Sequence, residues 1–135
     1  MALLKWTKKY SVGVKILDEQ HAEFVKCLNQ LHAAMMKGDA QSVAREIEPQ
    51  MMNLTINHFS TEERLMDETI FPGLAEHRAE HLVLAAKVEE FVARYKQGDQ
   101  SMYPELLRFV GNWLHNHTLT VDKQYTKWLN EHGVR

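Results

Sequence analysis

Residues 74–96 read LAEHRAEHLVLAAKVEEFVARYK. Leu74, His77, His81, Leu84, Val88, Phe91 and Tyr95 recur at alternating steps of three and four, the spacing that aligns side chains on one face of an α-helix. Two positions of that otherwise apolar face are histidines. An imidazole placed among leucines needs a partner, because burying a polar group without one costs on the order of 1 to 3 kcal/mol. The segment opens after Phe71-Pro72-Gly73 and closes before Gln97-Gly98-Asp99, both strong helix punctuation.

Three further segments repeat the pattern, and each again carries polar residues on its inner stripe. The first is expected at about 19–37, N-capped by Asp18 with Glu19 in its first turn; His21, Phe24, Leu28, Leu31 and Met35 face inward and Gly38 stops it. The second, about 41–66, shows Ile47, Met51, Leu54, His58, Glu62 and Leu65; Pro49 within it implies either a kink or a fresh helix start. The third occupies about 73–96. The fourth, about 103–131, opens at Tyr103-Pro104 and presents Leu106, Val110, Trp113 and His117. Short connections make sequence neighbours antiparallel, so the fold class is all-α, an up-down-up-down four-helix bundle forming a single domain over 1–135. Residues 1–17, with Trp6, Val12, Val14 and Ile16, lack helical periodicity but are too apolar to float free, and are expected as an ordered arm across the bundle.

Composition narrows the function classes. The chain has 135 residues, 44% hydrophobic and 25% charged, near the globular average, which sets aside disorder and disulfide scaffolds. Cys27 is the single cysteine, and the start MALLKWTKKY lacks a signal peptide's apolar core, so a cytoplasmic location is expected. A net charge of −2 and the lack of any apolar run of 18 residues imply neither nucleic acid nor membrane as a partner. Histidine is the outlier, with 8 residues.

His58-x-x-x-Glu62 and His77-x-x-x-His81 are i, i+4 pairs, so each helix can offer two ligands to one small site. His21 and His117 complete a set drawn from four helices, as expected of a metal site built inside a bundle. Asp122 lies five residues after His117, rotated off the inner face on an ideal helix. Either it is a solvated surface residue, or a local irregularity at 118–121, of the π type, swings it inward. Five imidazoles and two carboxylates are too many for one tetrahedral zinc and too nitrogen-rich for calcium or magnesium. Two metals sharing bridging carboxylates fit better, and imidazole suits iron, copper, zinc and nickel alike; the carboxylate bridges put iron first. The remaining candidates read as structural. His115 and His132 are expected on the surface or in the tail, and His32 in another layer. Met35, Met51, Met52 and Cys27 read as packing, and Glu63, Glu89 and Glu90 as solvated faces.

The strings Leu17-Asp18-Glu19-Gln20-His21, His58-Phe59-Ser60-Thr61-Glu62-Glu63, Phe71-Pro72 with His77-x-x-x-His81, and Trp113-Leu114 with His117-x-x-x-x-Asp122 resemble, in that order and spacing, the hemerythrins of the bacterial single-domain kind, the bacteriohemerythrins. The resemblance runs from Trp6 to Trp128. It implies two non-haem irons that bind dioxygen reversibly. One would be held by His77, His81 and His117, the other by His21 and His58, with Glu62, Asp122 and an oxo or hydroxo group as bridges. The two-histidine iron keeps one open position, where oxygen would bind, and Phe59, Trp113, Leu114 and Thr118 would wall the oxygen pocket. Thr118 departs from the bulky aliphatic residue usual in the family. Either it admits water and hastens autoxidation, or it bonds back to a carbonyl one turn earlier.

The function implied is therefore an oxygen carrier, store or delivery protein rather than an enzyme, with dioxygen as ligand and an oxygen-consuming enzyme as a candidate recipient. The alternatives are an oxygen or redox sensor module, or a di-iron enzyme acting on nitric oxide or peroxide. Di-iron bundles built for oxidation are richer in carboxylates than this set.

Overall fold

The computed structural model describes residues 10–117 and 123–135, with the side chains of residues 123 and 124 left aside. Five helices follow one another: α1 (Lys15–Met36), α2 (Ala40–Glu68), α3 (Leu74–Lys96), α4 (Met102–Asn116) and α5 (Lys123–Glu131). There is no strand among the described residues. α1 packs on α2, α2 on α3, α3 on α4 and α4 on α1, which closes a four-helix bundle. The turns between them span only residues 37–39, 69–73 and 97–101, so consecutive helices run in opposite directions. None of these helices is long and apolar enough to cross a membrane.

Two apolar clusters hold the bundle, and a polar layer lies between them. The larger cluster gathers Val25, Leu28, Leu31, Ala44, Ile47, Phe91, Leu107 and Val110 among others. The smaller joins the arm and the opposite end of the bundle through Val12, Val14, Leu17, Met66, Tyr125 and Leu129. Along α1 the order is Leu17, His21, Val25; along α2 it is Ile47, His58, Glu62, Met66. The inward polar residues are thus sealed on both sides by side chains that exclude water. Cys27 is buried in the larger cluster as a packing residue.

Several boundaries differ from the sequence reading. α1 begins at Lys15, after Val14 in an extended conformation, and Asp18 is not its N-cap. The Asp18 carboxylate instead reaches back to the arm, accepting from Ser11 Oγ at 2.6 Å and from the Val12 backbone N–H at 2.8 Å. Thr126 Oγ1 donates to the Val12 carbonyl and Asn130 Nδ2 to that of Gly13, so residues 10–14 are tied to both α1 and α5. Ile16 is an exception to the arm's burial and is exposed. α2 runs without interruption through Pro49, so no fresh helix starts there. Of the expected fourth helix, the described parts are α4 to Asn116, His117 in a wider turn of π type, and α5 from Lys123. The irregularity expected at 118–121, and with it Thr118 and Asp122, lies outside the described residues, as does Trp6. His115 is half-buried rather than solvated, because the arm lays Tyr10 over it, with the phenol oxygen 3.0 Å from His115 Nδ1.

Four helices end in the same closure, in which the backbone N–H three residues past the end bonds back five positions: Asp39 to Ala34, Phe71 to Met66, Asp99 to Arg94 and Val134 to Leu129. The residue at the bend has positive φ, and it is glycine at 38, 98 and 133 but Ile70 (φ 57°) after α2. The Ile70 side chain is 82% exposed. The bend is retained there because it delivers the next residue, Phe71, into edge-to-face contact with Tyr125 and Trp128. A left-handed conformation costs an L-residue roughly 1–2 kcal/mol, and asparagine tolerates it better than a β-branched residue. Ile70→Asn is therefore expected to raise unfolding stability by about 1 kcal/mol, read from the urea midpoint at unchanged slope. A lower midpoint would show that the isoleucine side chain makes stabilising contacts in solution.

Candidate metal centre

His21 projects inward from α1, His58 and Glu62 from α2, His77 and His81 from α3, and His117 from the end of α4, and all six are buried. The i, i+4 spacing stacks each pair one turn apart, and bundle closure brings the four inner faces to one point. Ligand atoms of Glu62, His77, His81 and His117 lie within 4.8 Å of one another, and so do those of His21, His58 and Glu62. Glu62 belongs to both groups. Its Oε1 faces His77 Nε2 in close contact and His81 Nε2 at 3.2 Å, while its Oε2 lies 2.8 Å from His58 Nε2. His58 Nε2 is in turn 3.0 Å from His21 Nε2.

The outward edges of three rings decide which nitrogen points inward. Thr61 Oγ1 donates to the Asn57 carbonyl and accepts from Gln20 Nε2, which turns the Gln20 carbonyl oxygen toward His58 Nδ1 at 3.0 Å. His58 therefore carries its proton on Nδ1 and directs the Nε2 lone pair at the Glu62 carboxylate. His81 Nδ1 donates to Glu63 Oε2 at 2.9 Å, and His117 Nδ1 to Glu80 Oε2 at 3.0 Å. A lone pair facing a carboxylate at hydrogen-bond distance is stable only with a cation between them, either a proton or a metal ion. This donor set fits divalent transition metals: imidazole nitrogens backed by acceptors, a shared carboxylate, and an apolar surround.

The electrostatics of the metal-free chain agree. Glu62 is fully buried, which by itself would raise its pKa, but His58, His77 and His81 hold it well below the carboxylate range. Burial alone would lower His81, yet the Glu62 and Glu63 carboxylates keep its proton on. His21 is pushed from 6.5 down to about 3 by burial, with His58 nearby adding to the effect. Burial likewise brings His117 down to about 4.

A cavity of about 20 Å³ touches His21 and His58 but none of His77, His81 and His117. Phe24, Leu54, Phe59, Leu84, Trp113 and Leu114, with Gln20 and Thr55, complete its wall, enough room for one molecule of roughly water's size. Phe59 stacks on His81 with ring centroids 3.9 Å apart, and Trp113 on His117 at 4.2 Å. His32, His115 and His132 stand apart from both ligand groups. Glu63, read from sequence as a solvated face, is a correction: its carboxylate is spent between His81 and Arg78, whose Nε lies 2.8 Å away. Gln20 and Glu80 were not singled out at all. The available signal was adjacency, since Gln20, Glu63 and Glu80 each neighbour a ligand in sequence.

Residues 12–129 match the family model described as the hemerythrin HHE cation-binding domain. A bacteriohemerythrin of Stenotrophomonas maltophilia (strain R551-3) is 32% identical over 132 residues, covering 98% of this chain and 85% of the relative. A myohemerythrin of Riftia pachyptila is 31% identical over 120 residues, covering 89% and 88%. A crystal structure of wild-type hemerythrin superposes with a TM-score of 0.86 at 29% identity, covering 95% of this chain and 98% of that one.

A basic group whose folded pKa lies below its unfolded value resists protonation only when folded, so its contribution to stability falls as pH drops through the gap. For His21 and His117 that gap begins near 6.5. Glu62 adds its own loss only below 4.5, and the raised His81 changes stability only above 6.5. The metal-free protein is expected to lose stability between pH 6.5 and 4.5 by up to about 1.4 kcal/mol per pH unit for each of the two histidines. Urea midpoints across that range test this, and a flat profile contradicts it.

Proposed function

This chain belongs to the hemerythrin family, and on that premise we propose that it binds dioxygen reversibly at a pair of non-haem irons. In this reading His77, His81 and His117 would hold one iron and His21 and His58 the other, with Glu62, which belongs to both ligand groups, shared between them. Asp122 is proposed as a second bridge with an oxo or hydroxo group. The single observation that carries the assignment of the oxygen side is the cavity, which among the described ligand residues touches His21 and His58. The cavity lies beside the half with two histidines, where a metal would have fewer protein ligands and so could take up a small molecule.

When bound, the reduced iron pair supplies two electrons and an open position for dioxygen. The chain's own residues do the rest. Glu62 holds the two halves at one separation and neutralises part of their charge, which lets them sit in a layer closed off from water. Phe59 and Trp113, stacked on His81 and His117, lock those rings in place. Phe24, Leu54 and Leu114 keep water and its protons from the oxygen side. The polar lining of the cavity among the described residues is His21, His58, the Gln20 amide and the Thr55 hydroxyl, which donates to the Met51 carbonyl, with no carboxyl group. Such a pocket binds a small neutral molecule and returns it unchanged, which favours carrying or storing oxygen over oxidising a substrate with it. Phe59, Trp113, Leu114 and Thr118 are proposed as the oxygen-pocket residues, and an oxygen-consuming enzyme as a recipient.

Iron analysis is expected to give two irons per chain in the native protein, matching the two ligand groups. Reduced, loaded protein should develop a visible absorption band on admission of oxygen and lose it on removal, through repeated cycles without added reductant. Glu62→Gln, which keeps the shape and removes the charge, should leave at most one iron and no reversible band. Steady consumption of reductant during cycling would favour an enzyme instead.

A further inference from the structure

Gln20 precedes His21 on α1 and accepts from His58 of α2. Glu63 follows Glu62 on α2 and accepts from His81 of α3. Glu80 precedes His81 on α3 and accepts from His117 at the end of α4. Each of α1, α2 and α3 thus carries, beside its own inward ligand, the acceptor that backs a ligand of the next helix. The alternation of before, after and before has a geometric cause. One residue is about 100° of rotation on an α-helix, and reversing the helix reverses the direction of numbering around the bundle axis. The residue before a ligand on an ascending helix and the residue after one on a descending helix therefore turn the same way, toward the next helix.

The three acceptors are not equal. The half of the site built by His77, His81 and His117 is backed by two carboxylates, while His58 in the other half is backed by a neutral amide. The geometry points to Gln20, Glu63 and Glu80 as positioning residues that fix which imidazole nitrogen faces the metals and, by placing a carboxylate behind His81 and His117 but an amide behind His58, make these rings electronically unequal. This rests on the two-metal reading above. An acceptor on Nδ1–H holds the ring in one orientation and raises the basicity of its Nε2, and a charged acceptor does so more than an amide. The carboxylate-backed rings accordingly favour the more highly charged metal state, whereas His58, beside the cavity and backed by an amide, does so less. Arg78 on one Glu63 oxygen and the Thr61–Asn57 chain behind Gln20 hold two of the acceptors in place.

The test starts from full-length protein loaded with Zn(II), a probe without redox chemistry, titrated with a competing chromophoric chelator. Glu63→Leu and Glu80→Leu are each expected to weaken one of the two binding steps by about 10- to 100-fold. Glu63→Gln and Glu80→Gln keep the shape and an acceptor oxygen, so they should lose less. In the iron-loaded protein the double glutamine variant is expected to move the midpoint potential to more positive values and Gln20→Glu to more negative ones, a response that packing alone would not produce. Leucine variants that bind Zn(II) within twofold of the native protein, or a midpoint unmoved by the double glutamine variant, would overturn the inference. Failure of the native protein itself to take up metal would instead overturn the reading it rests on.

Discussion

One buried carboxylate organises this molecule. Glu62 has no exposed surface, and the groups its two oxygens meet among the described residues are imidazoles, His77 and His81 on one side and His58 on the other. A carboxylate in such a place is tolerable only if cations or donors surround it, since an isolated buried charge is far too costly. The histidines are drawn to it from three helices, and through His58 from a fourth. What would be a defect in an ordinary bundle core becomes the reason the core has a centre.

That centre is stable because apolar layers bracket it. The larger cluster and the cluster formed with the arm each exclude water from one end of the polar layer. Low polarity strengthens every interaction inside and penalises every unpaired group, so the site gains definition and loses tolerance at once. The arm is part of this arrangement rather than an appendage, because Val12 and Val14 are as deeply buried as any core residue and Asp18 ties them down. The strained bend at Ile70 serves the same end by carrying Phe71 against Tyr125 and Trp128.

Around the inward ligands runs an outer set of acceptors, and its order follows from bundle topology. Antiparallel helices turn the flanking residues Gln20, Glu63 and Glu80 toward the next helix, so one adjacent polar residue on each of α1, α2 and α3 suffices to orient a ring there. The same rings are stacked by Phe59 and Trp113 from the other side. Orientation is thus imposed on His81 and His117 from two directions, by a hydrogen bond at the edge and an aromatic face above.

The amino-acid sequence by itself determined the helical class, the stripe on each helix and the six inward polar residues from His21 to His117, because both the apolar alternation and the i, i+4 pairs are properties of a single helix read along its own length. It was misleading wherever two segments meet. Asp18 has the chemistry of an N-cap, but its carboxylate is claimed by the arm. Glu63 has the look of a solvated face, but α3 brings His81 against it, and His115 lies under Tyr10, 105 residues away. Only the tertiary structure decided that Glu62 is shared between two ligand groups, that the cavity opens on the His21–His58 side, and which acceptor backs which ring. Those facts depend on the rotation and height of one helix against the next, and periodicity within a helix carries no record of either.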